Sequence, residues 1–425
     1  MNTSLNEKRN GLLALTPIMV MILLLVGFSV YYQSVASIPL LIVFIGTAIA
    51  AIASTPKLSL SDKIAKFSEG AGSRNMLLMI WIFILAGSFA STARQMGAVD
   101  ATVNLTLQIL PVDFALAGLF FSACLVSLCM GTSVGTIVAL MPIVVELASR
   151  TGIELPLITA AVVGGAFFGD NLSFISDTTI VSTQTQGCQL SDKFYANIRI
   201  ALPVAIITGV IYLFIGKVDT EPIIGSIKWW KIIPYLAVLV LAACRMNVLI
   251  VLLLGNLLTC VVGIVDGSYD LQGWIQGVTA GIMGMSELIL ISMMAGGIFA
   301  IINHNGGLIY LTRLLTRRVQ TKRGAEVSIC FLVAIANLIT ANNTVAILSV
   351  GDISKYMSTR FNIDPRRSAS LLDTSSCIVQ GLIPYGAQLL MAGSIAAIPS
   401  VSIMPYLYYP ILLAVAVGVA IVMDK

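Results

Sequence analysis

The sequence predicts an all-α polytopic membrane protein with an inverted-topology repeat, each half containing broken helices or re-entrant hairpins. Three observations lead there: too few charges for a soluble fold, apolar runs of membrane length, and landmarks that recur at a constant offset. Of 425 residues, 24 are Lys or Arg and 20 Asp or Glu, which is 10% of the chain. Soluble domains carry roughly 25%. The hydrophobic share is 58% and the mean hydropathy +0.97, leaving too little polar material to cover a soluble surface. A net charge of +4, with basic residues set between apolar runs, excludes a nucleic-acid partner. Seven scattered cysteines and the single His304 show no metal-ligand spacing, so no cofactor is expected.

Runs long enough for about 30 Å of hydrocarbon are Leu12–Tyr32, Ile38–Ser54, Met76–Thr92, Phe114–Cys129 and Ile198–Ile215. The second half adds Ile232–Cys244, Val248–Ile264, Leu288–Ile302, Ser328–Ile339 and Ile403–Met423. The first run reads as a retained span, because it exceeds a signal-peptide core and no A-x-A-like site follows. Two further regions, Gly131–Thr179 and Ala341–Ile398, are apolar but interrupted by Gly, Pro, Asn, Asp and Ser. Such backbone is tolerated at membrane depth only where protein or a cavity surrounds it. Leu58–Gly72 reads either as an interfacial amphipathic helix or as a cytoplasmic loop.

Shifting the chain by 209 residues superposes Ala71–Gly72 on Ala280–Gly281, Met76 on Met285, Ala86–Gly87 on Ala295–Gly296, Gly97 on Gly306 and Pro156 on Pro365. The predicted units are residues 1–216 and 217–425. Their loop charges oppose each other. Residues 55–75 hold Lys57, Lys63, Lys66 and Arg74, whereas their partners 264–284 hold only Asp266 and Asp270. Residues 98–115 hold Asp100 and Asp113, whereas 307–324 hold Arg313, Arg317, Arg318, Lys322 and Arg323. By the positive-inside rule equivalent loops face opposite sides, and both termini, with Lys8 and Arg9 at the first, are cytoplasmic. The loop 217–231, with Lys217, Lys228 and Lys231 beside Asp219 and Glu221, runs against this weakly. Inverted repeats with interrupted helices are how secondary transporters are built. No Walker A motif supports an ATP-driven alternative.

The polar residues of the interrupted regions are the candidates for chemistry. GTSVGT (131–136) is followed by GGAFFGDNLSFISDTT (164–179). Asp170 and Asp177 are seven apart, on one face if that segment is helical. Carboxylates in apolar surroundings face a cavity, a partner or an ion. Asn171, Ser173, Ser176, Thr178 and Thr179 accompany them, and Gly165 and Gly169 permit close backbone approach. The second region offers Asn342, Asn343, Thr344, Asp373, Thr374, Ser375, Ser376, Gln380 and Gln388, with Pro384 as a helix breaker. Such oxygens suit Na⁺ without any Lys or His, and competition between Na⁺ and H⁺ for one carboxylate couples two opposing gradients. Asp170 and Asp373 are the candidates for proton coupling, with Glu146 a third unless it merely pairs with Arg150 at i+4. His304 reads as a mouth residue or a proton carrier, and Trp229 and Trp230 as an interface belt.

At GAFFGDNLSFISDTT (165–179), with GTSVGT in support, the chain resembles the NhaC-type sodium/proton antiporters of the ion-transporter superfamily. The resemblance implies a bacterial inner-membrane carrier that exchanges Na⁺ for H⁺, or couples those ions to small solutes. It marks Asp170, Ser173, Ser176, Asp177, Thr178 and Thr179, then Asp373, Thr374, Ser375 and Ser376 with the Pro384 break beyond. Many relatives have Lys immediately after the Gly-Asp pair and Pro two residues before the final Ser-Asp-Thr-Thr. Here those zones read Asn171 and Phe174–Ile175. Losing a buried cation beside Asp170 makes room for another ligand, and so for an organic substrate. The expectation is therefore a Na⁺/H⁺ antiporter; the alternatives are a Na⁺- or H⁺-coupled carrier of a small amino acid or organic acid, and a membrane scaffold or enzyme. Its partners are Na⁺, H⁺ and the lipid bilayer, with a homodimer expected by analogy alone.

Overall fold

The computed structural model describes residues 13–32, 38–55, 58–109, 111–174, 176–216, 225, 227–244, 246–316 and 319–423. Lys8, Arg9, Lys57, Ile175, Lys217, Asp219, Glu221, Arg317 and Arg318 lie outside them. In the first half the helices are α1 Thr16–Tyr32, α2 Leu40–Ala53, α3 Leu60–Ala71, α4 Arg74–Gln95, α5 Ala98–Ile109, α6 Ala115–Met130, α7 Ser133–Thr151, α8 Leu155–Leu172, α9 Asp177–Gln186 and α10 Leu190–Ile215. The second half holds α11 Trp229–Ala243, α12 Val248–Val265, α13 Leu271–Gly284, α14 Ser286–His304, α15 Gly307–Thr316, α16 Lys322–Thr340, α17 Asn343–Arg360, α18 Pro365–Leu382, α19 Ala387–Ala396, α20 Ser400–Ile403 and α21 Tyr408–Met423. The described residues contain no strand. The protein is an all-α polytopic membrane protein. Among the described residues, eight helical spans, counting α8 with α9 and α18 with α19 as one each, or nine with a pair bent by 54° near Leu407, are long and apolar enough to cross a bilayer. The shorter apolar helices α1, α2, α6, α11 and α15 accompany them.

The elements follow local sequence. Pro156 and Pro365 stand in the first turns of α8 and α18, where a missing N–H costs nothing. Gly131, Gly152 and Gly187 end α6, α7 and α9 in the left-handed conformation, with φ of 69°, 73° and 77°. Ala341 ends α16 in that same conformation at φ 49°, a strained choice for a residue with a side chain.

The halves interlock. α3 packs against α14, while α13 packs against α4. Leu58–Gly72 therefore contains a helix, and that helix is docked against the other half of the chain. At α4–α13 the backbones of Gly87 and Gly281 meet so closely that a Cβ on either would strike the other's carbonyl. α9 packs on α17 and α18, and α19 on α7 and α8, so each short helix after a break inserts into the opposite half.

A polar latch ties the turn between α12 and α13 to the first half. Lys231 Nζ donates to Met96 O at 2.6 Å and lies 2.7 Å from Asp266 Oδ2. Trp230 Nε1 donates to Asp266 Oδ1 at 2.6 Å, and Ser268 Oγ to Oδ2 at 2.7 Å. Lys231, then Ser268 and Trp230, hold the Asp266 carboxyl well below the usual carboxylate range. A group with a depressed folded value stabilises above its unfolded value, near ~3.9, and loses that contribution as pH falls toward the folded one. Thermal unfolding in detergent should show Asp266→Asn less stable at neutral pH and less sensitive than the wild type to acid below about pH 4. Equal acid sensitivity of the two proteins would count against the latch.

Candidate functional site

Two helix breaks and two helix starts converge. α8 carries Asp170 in its last turn and stops at Leu172, because Ser173 turns extended at ψ 137°. The chain resumes as α9 at Asp177, with Ser176 at the N-cap position. In the second half α18 stops at Leu382 before extended Ile383, as expected ahead of Pro384. α19 resumes at Ala387. Between the breaks sit the N-termini of α7 and α17, launched by the left-handed Gly131 and Ala341.

These elements enclose a cavity of about 120 Å³ lined by Asn75, Ser133, Asp170, Ser176, Asp177, Thr178, Asn342, Asn343, Thr344, Gln380 and Gln388, with apolar residues of α4. Asp170 is buried at 4% exposure. Its Oδ1 accepts the main-chain N–H of Ser133 at 3.0 Å, so the positive end of α7 faces the carboxylate. Gln388 Nε2 donates to Ser133 Oγ at 3.0 Å. Gln380 Nε2 donates to Gln388 Oε1 at 2.9 Å and to Ala341 O at 3.0 Å. A hydrogen-bonded chain thus runs from the second break to the helix terminus that holds Asp170. Neutral amides and hydroxyls around the carboxylates of Asp170 and Asp177 suit a small cation rather than an anion.

Not every candidate reaches this cavity. Asp177 lines its exposed side. It shares the cavity with Asp170 although the two lie on separate helices, so the one-face argument from a continuous helix does not hold. Asn342 caps α17, its Oδ1 accepting from Val345 N at 3.0 Å, which engages part of its oxygen. Ser173 donates to Leu128 O at 3.0 Å and is absent from the lining. Thr374, Ser375 and Ser376 are buried within α18, away from the cavity wall. Glu146 bonds Arg150 Nε at 2.6 Å near the end of α7, and Arg150 also reaches Asp100 at 2.6 Å. This is the ion-pair alternative, and it stands apart from the cavity. His304 is exposed at the end of α14.

Asp373 departs most from the sequence expectation. It is not a bare carboxylate awaiting an ion, because Lys193 Nζ lies 2.8 Å from Oδ2 with both side chains at most 1% exposed. Lys193 Nζ also donates to Asn171 O and Thr179 Oγ1, each at 2.6 Å. Asn197 Nδ2 donates to Asn171 O and to Asp373 Oδ2, each at 2.9 Å. The Asp373 cluster therefore contains a lysine. Asn171, at the position next to Asp170, is itself neutral, yet a cation arrives from α10 against its main-chain oxygen. A capping box between Gln189 and Asp192 starts α10 and sets the register that turns Lys193 and Asn197, four apart, into the core. Sequence reasoning missed both residues; the only available signal was that four-residue spacing.

Interrupted helices from both halves, crossing and closing on a carboxylate-bearing cavity in a polytopic α-helical protein, define a secondary transporter. The profile described as the Na⁺/H⁺ antiporter family matches residues 10–217 and 221–423, and the chain belongs to that family. The malate-2H(+)/Na(+)-lactate antiporter of Bacillus subtilis is 22% identical over 385 residues, covering 83% of this chain and 81% of its own. The Na(+)/H(+) antiporter NhaC of the same organism is 22% identical over 376 residues, covering 80% and 82%. Among solved structures MtrF of Neisseria gonorrhoeae, one of a class of antimetabolite efflux pumps, aligns over 86% of this chain and 84% of its own, at 13% identity and a TM-score of 0.42.

Proposed function

We propose that this antiporter exchanges Na⁺ for H⁺ at the Asp170 cavity, in a bacterial inner membrane, with both termini cytoplasmic and the two halves related by inversion. The cavity's size carries the reading. At about 120 Å³ it falls below the roughly 300–1,000 Å³ of small-molecule pockets. Water occupies about 30 Å³ per molecule in the liquid, so the space suits a cation with a few waters. Asp170 would bind Na⁺ and H⁺ in alternation, with Asp177, Thr178, Asn343 and Thr344 as further oxygens on the wall. Exchange follows because one carboxylate serves both ions: a proton arriving from one side releases Na⁺ to the other as the halves move around the site.

In proteoliposomes with a preset pH gradient, Na⁺ alone should collapse that gradient. If Na⁺ alone leaves it intact, and only addition of malate or lactate with Na⁺ releases it, the solute-coupled reading replaces this one.

A further inference from the structure

Lys193 is the only fully buried lysine among the described residues, and its surroundings are those of a metal ion. An ammonium has three N–H donors. Here each meets a different kind of oxygen: the Asn171 carbonyl, the Thr179 hydroxyl and the Asp373 carboxylate. Carbonyl, hydroxyl and carboxylate oxygens are the donor set of hard cations. The Asn171 carbonyl is free to take part because α8 ends one residue later, leaving its last carbonyls without helical partners.

The residues of this cage supply more oxygen than the lysine uses. Asp373 Oδ1, Asn171 Oδ1 and Asn197 Oδ1 are all buried and have no hydrogen-bond partner. A buried ion pair that serves only packing needs its remaining lone pairs satisfied. A surplus of unpartnered oxygen is what a cation site presents. The cage also draws on both halves, with α8, α9 and α10 on one side and α18 on the other.

We infer that this cage is a second cation site whose occupant is tethered: the Lys193 ammonium stands where a free Na⁺ would otherwise bind. The protein then carries its mobile ion at Asp170 beside a fixed positive charge. The inference rests on the proposed function only for the identity of that mobile ion. Emptying the cage while keeping its oxygens should open it to Na⁺ or to a small ammonium.

The test compares the purified full-length wild type with Lys193→Ala, Lys193→Ala/Asp373→Asn and Asp170→Asn, by equilibrium binding of radiolabelled Na⁺ and by thermal unfolding. Lys193→Ala should bind one more Na⁺ than the wild type. Its unfolding temperature should rise with Na⁺ or methylammonium but not with choline. The double variant, whose cage is neutral, should fold without added cation and lose both effects. The inference is overturned if Lys193→Ala gains no Na⁺, if choline stabilises it equally, or if it stays unfolded in saturating Na⁺ and methylammonium while the double variant folds. It is also overturned if neither variant folds under any of these cations. Failure of the Asp170 reading is distinguishable, since Asp170→Asn would then bind as the wild type does while the Asp373-dependent gain remained.

Discussion

Asp170→Asn should abolish the Na⁺-driven collapse of a preset pH gradient in proteoliposomes while leaving the protein folded in detergent. Asn keeps the shape of the side chain and an oxygen to accept the Ser133 N–H, so the start of α7 remains capped. The negative charge and the titratable proton both go. Removing one partner of a desolvated charge pair costs about 3–5 kcal/mol, equivalent to at least roughly a hundredfold in ion affinity. Asp177→Asn should reduce exchange less, because that carboxylate sits on the exposed side of the cavity and water can take its place as a ligand. Retention of wild-type exchange by Asp170→Asn would remove the site assignment altogether. A folded variant with unchanged Na⁺ binding would point to another ion path.

Gly169→Val should be the most destabilising single substitution near the site. Gly169 lies on α8 where that helix runs against α6, and a Cβ there would overlap the side chain and the carbonyl carbon of Ser127. One turn earlier, a Cβ on Gly165 would lie 2.5 Å from Phe120 O and 2.7 Å from the Ala123 Cβ. Main-chain atoms cannot swing aside as a flexible side chain can, and Ser127 Oγ already donates to Ala166 O at 2.6 Å across the contact. The helices must separate, moving Asp170, the next residue, away from the Ser133 N–H. Overpacking of this kind costs about 1–3 kcal/mol and sometimes more. Thermal unfolding in detergent should drop clearly for Gly169→Val and hardly for Gly418→Ala, where nothing lies within 4 Å. Equal tolerance at the two glycines would mean that the α6–α8 contact is looser than the structure has it.

The residues that were legible from sequence share a property: their environment is set by the chain around them. Asp170 sits in a run of apolar and small residues, so its desolvation is evident without knowing what packs on it. Pro384 and the Ser173–Ser176 stretch break their helices through local backbone chemistry, and the structure has both breaks. What could not be read was which face each polar residue presents after a break. Ser173 and Ser376, adjacent in sequence to residues of the site, make their bonds to the main chain instead. Asn342 divides its role between cap and cavity wall.

Lys193 marks the boundary most clearly. A lysine in the first turn of a membrane helix ordinarily reaches back to the interface, and SDKF reads that way. Here it turns inward to Asp373 on α18, to which Asn197 of its own helix, 176 residues from Asp373 in sequence, also donates. The membrane class, the interrupted helices and the deep aspartates follow from amino-acid sequence alone, because the cost of burying charge and bending backbone in hydrocarbon is local. The division of labour between Asp170, facing a cavity, and Asp373, paired with an internal cation, was decided by tertiary structure. Both aspartates are equally costly to bury, and only the neighbours that folding brings to each one determine how that cost is met.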